Sequence, residues 1–124
     1  AVRNNVIIMD INKDLKLSIQ KMAEARKNKK NIIIFPEGTR TLTGKLGNFK
    51  KTFAILSREL NVPIIPVSIK GAYEALPTGS TFPKPFKRIS VEFHEAIHPE
   101  GNTYEDIAIK VKQQIEMSLG EKVA

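Results

Sequence analysis

Short apolar runs alternate with amphipathic segments along this chain, and that alternation constrains its fold more than any other feature. Runs of strand length stand at Val6–Met9, Ile32–Phe35 and Val62–Ile69. Apolar residues recur with helical spacing in three longer segments, Lys13–Lys30, Asn48–Leu60 and Thr103–Leu119. Strands that alternate with helices are typical of layered α/β architectures. We therefore predict one α/β domain over residues 1–124, with a mixed, mainly parallel sheet flanked by helices.

The predicted helices carry capping signals at their ends. Asp10 or Asn12 is placed to cap the first helix, and Asn102 or Thr103 the last, because short polar side chains accept hydrogen bonds from free helical amides. The second helix shows one apolar face. Its members are Phe49, Phe53, Leu56 and Leu60.

Two further strands are predicted in the second half of the chain. Pro63 and Pro66 interrupt the run Val62–Ile69, so this segment is expected to be an edge or bulged strand. Lys87–Ala96 alternates apolar and polar residues, which predicts a half-buried strand. The residues expected on its buried face are Ile89, Val91 and Phe93.

Composition narrows the classes of partner. The 124 residues include 20 Lys and Arg against 13 Asp and Glu, a net charge of +7, and a positive surface attracts nucleic acid, anionic lipid or phosphorylated substrates. The absence of Cys excludes disulfides and Cys-ligated zinc. Aromatic residues make up only 6% and no groove-reading motif is visible, which argues against nucleic acid. No apolar run has the ~20 residues of a membrane span.

A polar cluster follows the predicted strand Ile32–Phe35 at the edge where α/β sheets usually bind ligands. Gly38 allows backbone amides to converge on an anion. Thr39 adds a hydroxyl donor, and Arg40 adds a planar fork suited to phosphate. Glu37 would repel a phosphate, so we expect it to hold Arg40 or a loop amide, or to meet a substrate hydroxyl. Three lysines nearby are expected to add basic contacts: Lys45, Lys50 and Lys51.

The residues alone leave an alternative to this anion site. A glycine turn with a surface pair between Glu37 and Arg40 has the same sequence requirements, and Gly-Thr-Arg triplets are common.

Three blocks of this sequence resemble the glycerolipid acyltransferase family. They are FPEGTR (Phe35–Arg40), GKLGNFKK (Gly44–Lys51) and VPIIPVSI (Val62–Ile69). The resemblance implies transfer of a fatty acyl group from acyl-CoA or acyl-ACP to 1-acyl-sn-glycerol-3-phosphate (lysophosphatidate) in phospholipid biosynthesis, at the cytoplasmic face of a membrane. It requires no metal and no bound cofactor.

The resemblance also assigns roles to residues. The acceptor phosphate is assigned to Glu37, Gly38, Thr39 and Arg40, and the wall of an acyl or acceptor pocket to Pro63, Ile64, Ile65 and Pro66.

The sequence departs from the family in its catalytic box, which is His-x-x-x-x-Asp with the His as general base. Pro99 stands five residues after His94, and Thr103 five residues after His98. We therefore interpret both histidines as structural, partly exposed residues and predict no catalytic residue in this chain.

Truncation is the simplest account of that departure. The chain would be the C-terminal portion of a parent enzyme, inactive alone, and self-association through an apolar patch exposed by truncation is expected. The alternative is a non-catalytic module that binds anionic lipid or phosphate.

A proline-rich loop offers a second candidate contact. Its phenylalanines and cations either dip into a membrane interface or belong to an ordinary solvated loop. These residues are Phe82, Lys84, Phe86, Lys87 and Arg88.

Overall fold

The computed structural model describes residues 14–38, 41–77 and 79–120. Its elements are α1 (Leu15–Lys27), α2 (Thr52–Leu60), β1 (Val67–Lys70), α3 (Ala72–Ala75), β2 (Ser90–Phe93) and α4 (Tyr104–Leu119). Two compact units divide the chain, Ala1–Ile34 and Phe35–Ala124, and the single domain over residues 1–124 stays a prediction. None of the helices in the described ranges is long and apolar enough to cross a membrane.

Helix α1 begins at Leu15 because Asp14 caps it. The Asp14 carboxylate accepts a hydrogen bond from the Leu17 N–H at 3.0 Å, which satisfies one of the free amides of the first turn. The expected caps, Asp10 and Asn12, lie outside the described residues, as does the predicted strand Val6–Met9.

The predicted strand Ile32–Phe35 has no strand hydrogen bonding within the described residues. Ile33 is 83% exposed and Phe35 is 69% exposed. A strand exists only as part of a paired ladder, and the expected neighbour Val6–Met9 lies outside the described residues. The described backbone of Ile32–Phe35 therefore does not form the strand that its apolar sequence predicts.

Helix α2 buries the apolar face that its spacing predicted. Phe53, Leu56 and Leu60 are buried, while Phe49 precedes the helix and packs edge-on against Phe53 with ring centroids 6.2 Å apart. The helix begins at Thr52 instead of Asn48. The predicted face therefore combines one helix with the end of the preceding loop.

The two prolines limit strand formation as expected. β1 begins directly after Pro66, and before it only Ile64 makes an isolated antiparallel bridge, to Ile97. Proline lacks an N–H to donate to a ladder, so regular pairing starts once the second proline has passed.

Strands β1 and β2 form an antiparallel pair in which Val67 faces Phe93 and Ile69 faces Val91. Directly opposite residues share one face of the sheet. On this face Val91 is 53% exposed and Phe93 is 73% exposed. The expected half-burial of β2 is therefore wrong, because no described element covers its apolar side.

Helix α4 closes the described chain with a complete N-terminal capping box. The Asp106 N–H donates to the Thr103 hydroxyl, and the Thr103 N–H donates to the Asp106 carboxylate at 3.0 Å. The same Thr103 N–H lowers the pKa of the Asp106 carboxyl. The apolar face of α4 packs on α2 and β1 and forms the core of this unit. Its buried apolar members are Ile107, Ala108, Val111 and Ile115.

Candidate functional site

The turn after Phe35 is held by one internal hydrogen bond and by two hydrogen bonds from the loop that precedes α2. The Gly38 N–H donates to the Phe35 carbonyl at 3.1 Å, and the Lys50 N–H donates to the Pro36 carbonyl at 2.8 Å. The Glu37 carboxylate accepts a hydrogen bond from the Gly47 N–H at 2.8 Å. Of the three roles expected for Glu37, this hydrogen bond corresponds to one, the binding of a loop amide.

Lys50 lies directly over Gly38. A Cβ atom added to Gly38 would stand 3.2 Å from the Lys50 Nζ and 3.3 Å from its Cε. The missing side chain therefore lets an ammonium group approach the turn closely. A cation beside a backbone turn is a favourable place for an anion.

The other predicted cations are placed differently. Lys51 lies near the start of α4, where it helps to lower the pKa of the Glu105 carboxyl, a shift caused mainly by a hydrogen bond from Tyr104. Lys45 is exposed. Thr39 and Arg40 lie outside the described residues, so their predicted phosphate contacts stay predictions.

The loop after the motif is organised by one hydroxyl group. Thr41 Oγ1 donates to the Lys45 carbonyl at 2.8 Å and accepts from the N–H groups of Thr43 and Gly44 at 3.3 and 3.0 Å. A threonine hydroxyl that bonds to nearby backbone in this way replaces the hydrogen bonds of regular structure. We call Thr41–Lys45 the threonine loop.

Tyr73, in α3, packs against the threonine loop. Its hydroxyl donates to the Leu42 carbonyl at 3.2 Å. A Cβ atom on Gly44 would lie 2.8 Å from the Tyr73 ring, so this contact requires glycine. No sequence motif indicated the contact, because the two residues belong to different segments and neither has a characteristic neighbour.

The predicted pocket wall alternates between buried and open positions. Pro66 is buried and Ile64 is half-buried, whereas Pro63 is exposed and Ile65 is 55% exposed. Side chains alternate between faces in extended chain. Pro63 and Ile65 are therefore the exposed members of the predicted wall.

A polar cluster joins β1, β2 and α4, in which Ser68 is buried and Glu92 is exposed. Ser68 Oγ lies 2.7 Å from His94 Nε2, and the Glu92 carboxylate is 4.0 Å from His94 Nδ1 and accepts from the Ser118 hydroxyl at 2.7 Å. Serine, histidine and acid in this order resemble a nucleophilic triad. However, Ser68 is only 1% exposed, so no substrate carbonyl reaches its hydroxyl.

The cluster is therefore structural, as the sequence suggested for His94, although its side chain is only 6% exposed and so more buried than predicted. His98 is exposed. Within residues 14–38, 41–77 and 79–120, no group of His, Asp and Glu side chains is arranged to hold a metal ion.

Removing the Ser68 hydroxyl is expected to destabilise the fold and leave ligand binding unchanged. Ser68→Ala leaves a buried imidazole nitrogen without its partner, which costs about 1–3 kcal/mol. Denaturant unfolding measures this loss. Ser118→Ala is the matched control and is expected to stay within about 0.5 kcal/mol. Equal losses of unfolding free energy in the two variants would show that the Ser68–His94 hydrogen bond stabilises the fold no more than the exposed Ser118–Glu92 hydrogen bond does.

Comparisons with known proteins relate this chain to acyltransferases. The model of the family described as Acyltransferase matches residues 3–70. The chloroplastic 1-acyl-sn-glycerol-3-phosphate acyltransferase LPAT1 of Arabidopsis thaliana is 31% identical over 80 residues, 64% of this chain and 22% of that protein. The 1-acyl-sn-glycerol-3-phosphate acyltransferase of Limnanthes douglasii is 35% identical over 99 residues, 77% of this chain and 35% of that protein.

A solved structure shows the same likeness. The 1-acyl-sn-glycerophosphate acyltransferase PlsC from Thermotoga maritima superposes with a TM-score of 0.71 at 31% identity, over 81% of this chain and 42% of that one. The predicted α/β fold class is thereby confirmed. The chain spans between 22% and 42% of the length of these proteins.

Proposed function

The chain belongs to the acyltransferase family, and from this membership we propose that it supplies the acceptor phosphate site of a longer parent enzyme. That enzyme transfers a fatty acyl group from acyl-CoA or acyl-ACP to 1-acyl-sn-glycerol-3-phosphate in phospholipid biosynthesis. The names of the relatives support the reaction. The observation that carries the site is the Lys50 ammonium over Gly38, within a turn that also holds Glu37.

The residues of the turn have separate proposed roles in binding the acceptor phosphate. Arg40 binds the acceptor phosphate in a bidentate manner, and Thr39 and the Gly38 backbone donate further hydrogen bonds. Lys50 adds a second positive charge, with Lys45 and Lys51 as outer basic contacts. Glu37 holds the loop through the hydrogen bond that its carboxylate accepts from the Gly47 amide and does not bind the phosphate itself.

The pocket wall and the chemistry belong to separate parts of the parent enzyme. Pro63 to Pro66 line the acyl or acceptor pocket, with the exposed Ile65 as the side chain best placed to touch an acyl chain. The His-x-x-x-x-Asp box does not occur in this sequence. We therefore place the general base elsewhere in the parent enzyme and expect no turnover from this chain alone.

The parent enzyme works at the cytoplasmic face of a membrane, where its lipid acceptor resides.

Copies of this chain associate through the open apolar face of the sheet, whose members Ile69, Val91 and Phe93 are 44%, 53% and 73% exposed. Burial of such a face is favourable by about 25 cal/mol per Å² of apolar area.

The alternative function is a module that binds anionic lipid or phosphate without chemistry. The same turn would serve it, and the missing His-x-x-x-x-Asp box favours it. The two functions differ in turnover, since only the first consumes a thioester.

Acyl transfer by the parent enzyme to lysophosphatidate and to monoacylglycerol, which lacks the phosphate, tests the proposal. We expect kcat/KM to be about 100-fold higher for lysophosphatidate, because two charge-assisted contacts are lost with the phosphate. Equal values would contradict the phosphate site. Lysophosphatidate binding without release of the thiol from the donor would establish the non-catalytic module instead.

A further inference from the structure

The segment Phe82–Arg88 presents two phenylalanines to solvent. Phe82 is 80% exposed and Phe86 is 104% exposed, so the ring of Phe86 has no cover from any described residue. Single exposed apolar side chains are ordinary on protein surfaces. Two fully presented aromatic rings within one short segment are not, and they indicate a surface that is covered in use.

The charges around these rings have one sign. Lys84, Lys87 and Arg88 are exposed, and the sequence contains no Asp or Glu between Glu74 and Glu92. The segment therefore combines aromatic rings with three cations, and none of the ion pairs among the described residues involves them. Anionic lipid headgroups over an apolar interior provide both complementary features at once.

The backbone of the segment is held while its side chains project. The Lys84 N–H donates to the Ala75 carbonyl at 2.6 Å, and the Arg88 carbonyl packs so closely on Gly71 that a Cβ there would lie 2.1 Å away. Pro83 and Pro85 fix two further φ angles. Little conformational freedom remains to be lost when the segment binds a surface.

The backbone at Phe86 is unusual. Its φ is +63°, a left-handed conformation that bulky side chains rarely adopt. No contact among the described residues offsets this cost, since the ring is fully exposed. Strain of this kind concentrates at binding sites.

We propose that Phe82–Arg88 is a docking segment for an anionic bilayer surface, with both rings entering the headgroup–acyl boundary and the three cations contacting lipid phosphates. Three cations beside two exposed aromatic rings match an anionic headgroup layer above an apolar interior, which favours a bilayer over a protein groove. This inference deepens the membrane location proposed above. It is independent of the acceptor phosphate site, so each can fail without the other.

Tryptophan fluorescence tests the insertion directly, because the chain contains no Trp. The 124-residue chain carrying Phe86→Trp is mixed with vesicles of phosphatidylcholine and phosphatidylglycerol. We expect a blue shift of emission and quenching by lipids brominated on their acyl chains. Met117→Trp is the matched control, since Met117 is 72% exposed on α4, and we expect neither effect there.

Charge variants test the lipid headgroup contact. Lys84→Gln with Lys87→Gln is expected to weaken vesicle binding about tenfold or more, since each cation near an anionic surface adds to the electrostatic attraction. Lys16→Gln with Lys27→Gln removes the same charge from exposed positions of α1 and is expected to have a much smaller effect.

Three results would overturn the docking segment. They are equal losses from the two charge pairs, vesicle binding with no blue shift of the introduced tryptophan, and tighter binding to single-stranded DNA than to the vesicles. The second result would leave the membrane location in place and remove only this segment from it.

Discussion

Gly71→Ala is expected to destabilise the chain by about 3 kcal/mol or more, a large part of the 5–15 kcal/mol typical of a folded domain. Gly71 has φ +86°, and an L-residue in this region costs about 1–2 kcal/mol. The added Cβ would also stand 2.1 Å from the Arg88 carbonyl oxygen. Because that oxygen is backbone, relief requires the chain just before β2 to move.

Denaturant unfolding measures this loss as a lower midpoint at an unchanged slope. Gly101→Ala is the matched control. Gly101 has φ +74°, and a Cβ there would meet nothing within 4 Å, so only the backbone cost of about 1–2 kcal/mol applies. If both variants lose the same free energy of unfolding, the close packing of Gly71 on the Arg88 carbonyl does not account for the effect of Gly71→Ala.

Arg40→Ala in the parent enzyme is expected to lower kcat/KM for lysophosphatidate about 10- to 100-fold. A charge-assisted bond to phosphate contributes about 1.5–3 kcal/mol, and each 1.4 kcal/mol is about tenfold. Arg40→Lys keeps the charge and loses the planar fork, so its activity should fall between wild type and Arg40→Ala. Initial rates at varied acceptor concentration measure both.

Two controls separate phosphate binding from a general defect. Arg40→Ala should leave transfer to monoacylglycerol unchanged, because that acceptor has no phosphate to lose. Arg58→Ala, at an exposed position of α2, should leave both acceptors unchanged. An unaltered kcat/KM for lysophosphatidate in Arg40→Ala would refute the role of Arg40.

Local signals predicted the helices well because their causes are local. The capping box at Thr103 and Asp106 lies within four residues, and the buried face of α2 follows from spacing alone. The two prolines likewise limited β1 by removing their own donors. Each of these effects is contained in the segment that shows it.

Features that depend on distant partners were predicted less well. Alternation in β2 showed that one face is apolar, but not whether another element covers it, and Phe93 is exposed. The Ser68–His94 bond joins residues 26 positions apart, and neither residue has a sequence neighbour that indicates the other.

In the candidate site, too, local features were predicted from the sequence and long-range contacts were not. The sequence located the polar turn and left three tasks open for Glu37. The hydrogen bond from Gly47, ten positions away, favours one of them, and no spacing rule contains that information. For Arg40 the prediction still rests on the motif alone.

The threonine loop has a consequence for how a ligand would be bound beside it. Its backbone is already fixed by the Thr41 hydroxyl and by Tyr73 before any ligand arrives. The conformational entropy lost in ordering it therefore belongs to the free energy of folding and not to that of binding. In the proposed site, an acceptor that meets this preorganised loop would retain more of its contact energy as affinity, and Tyr73 would support that binding by holding the loop.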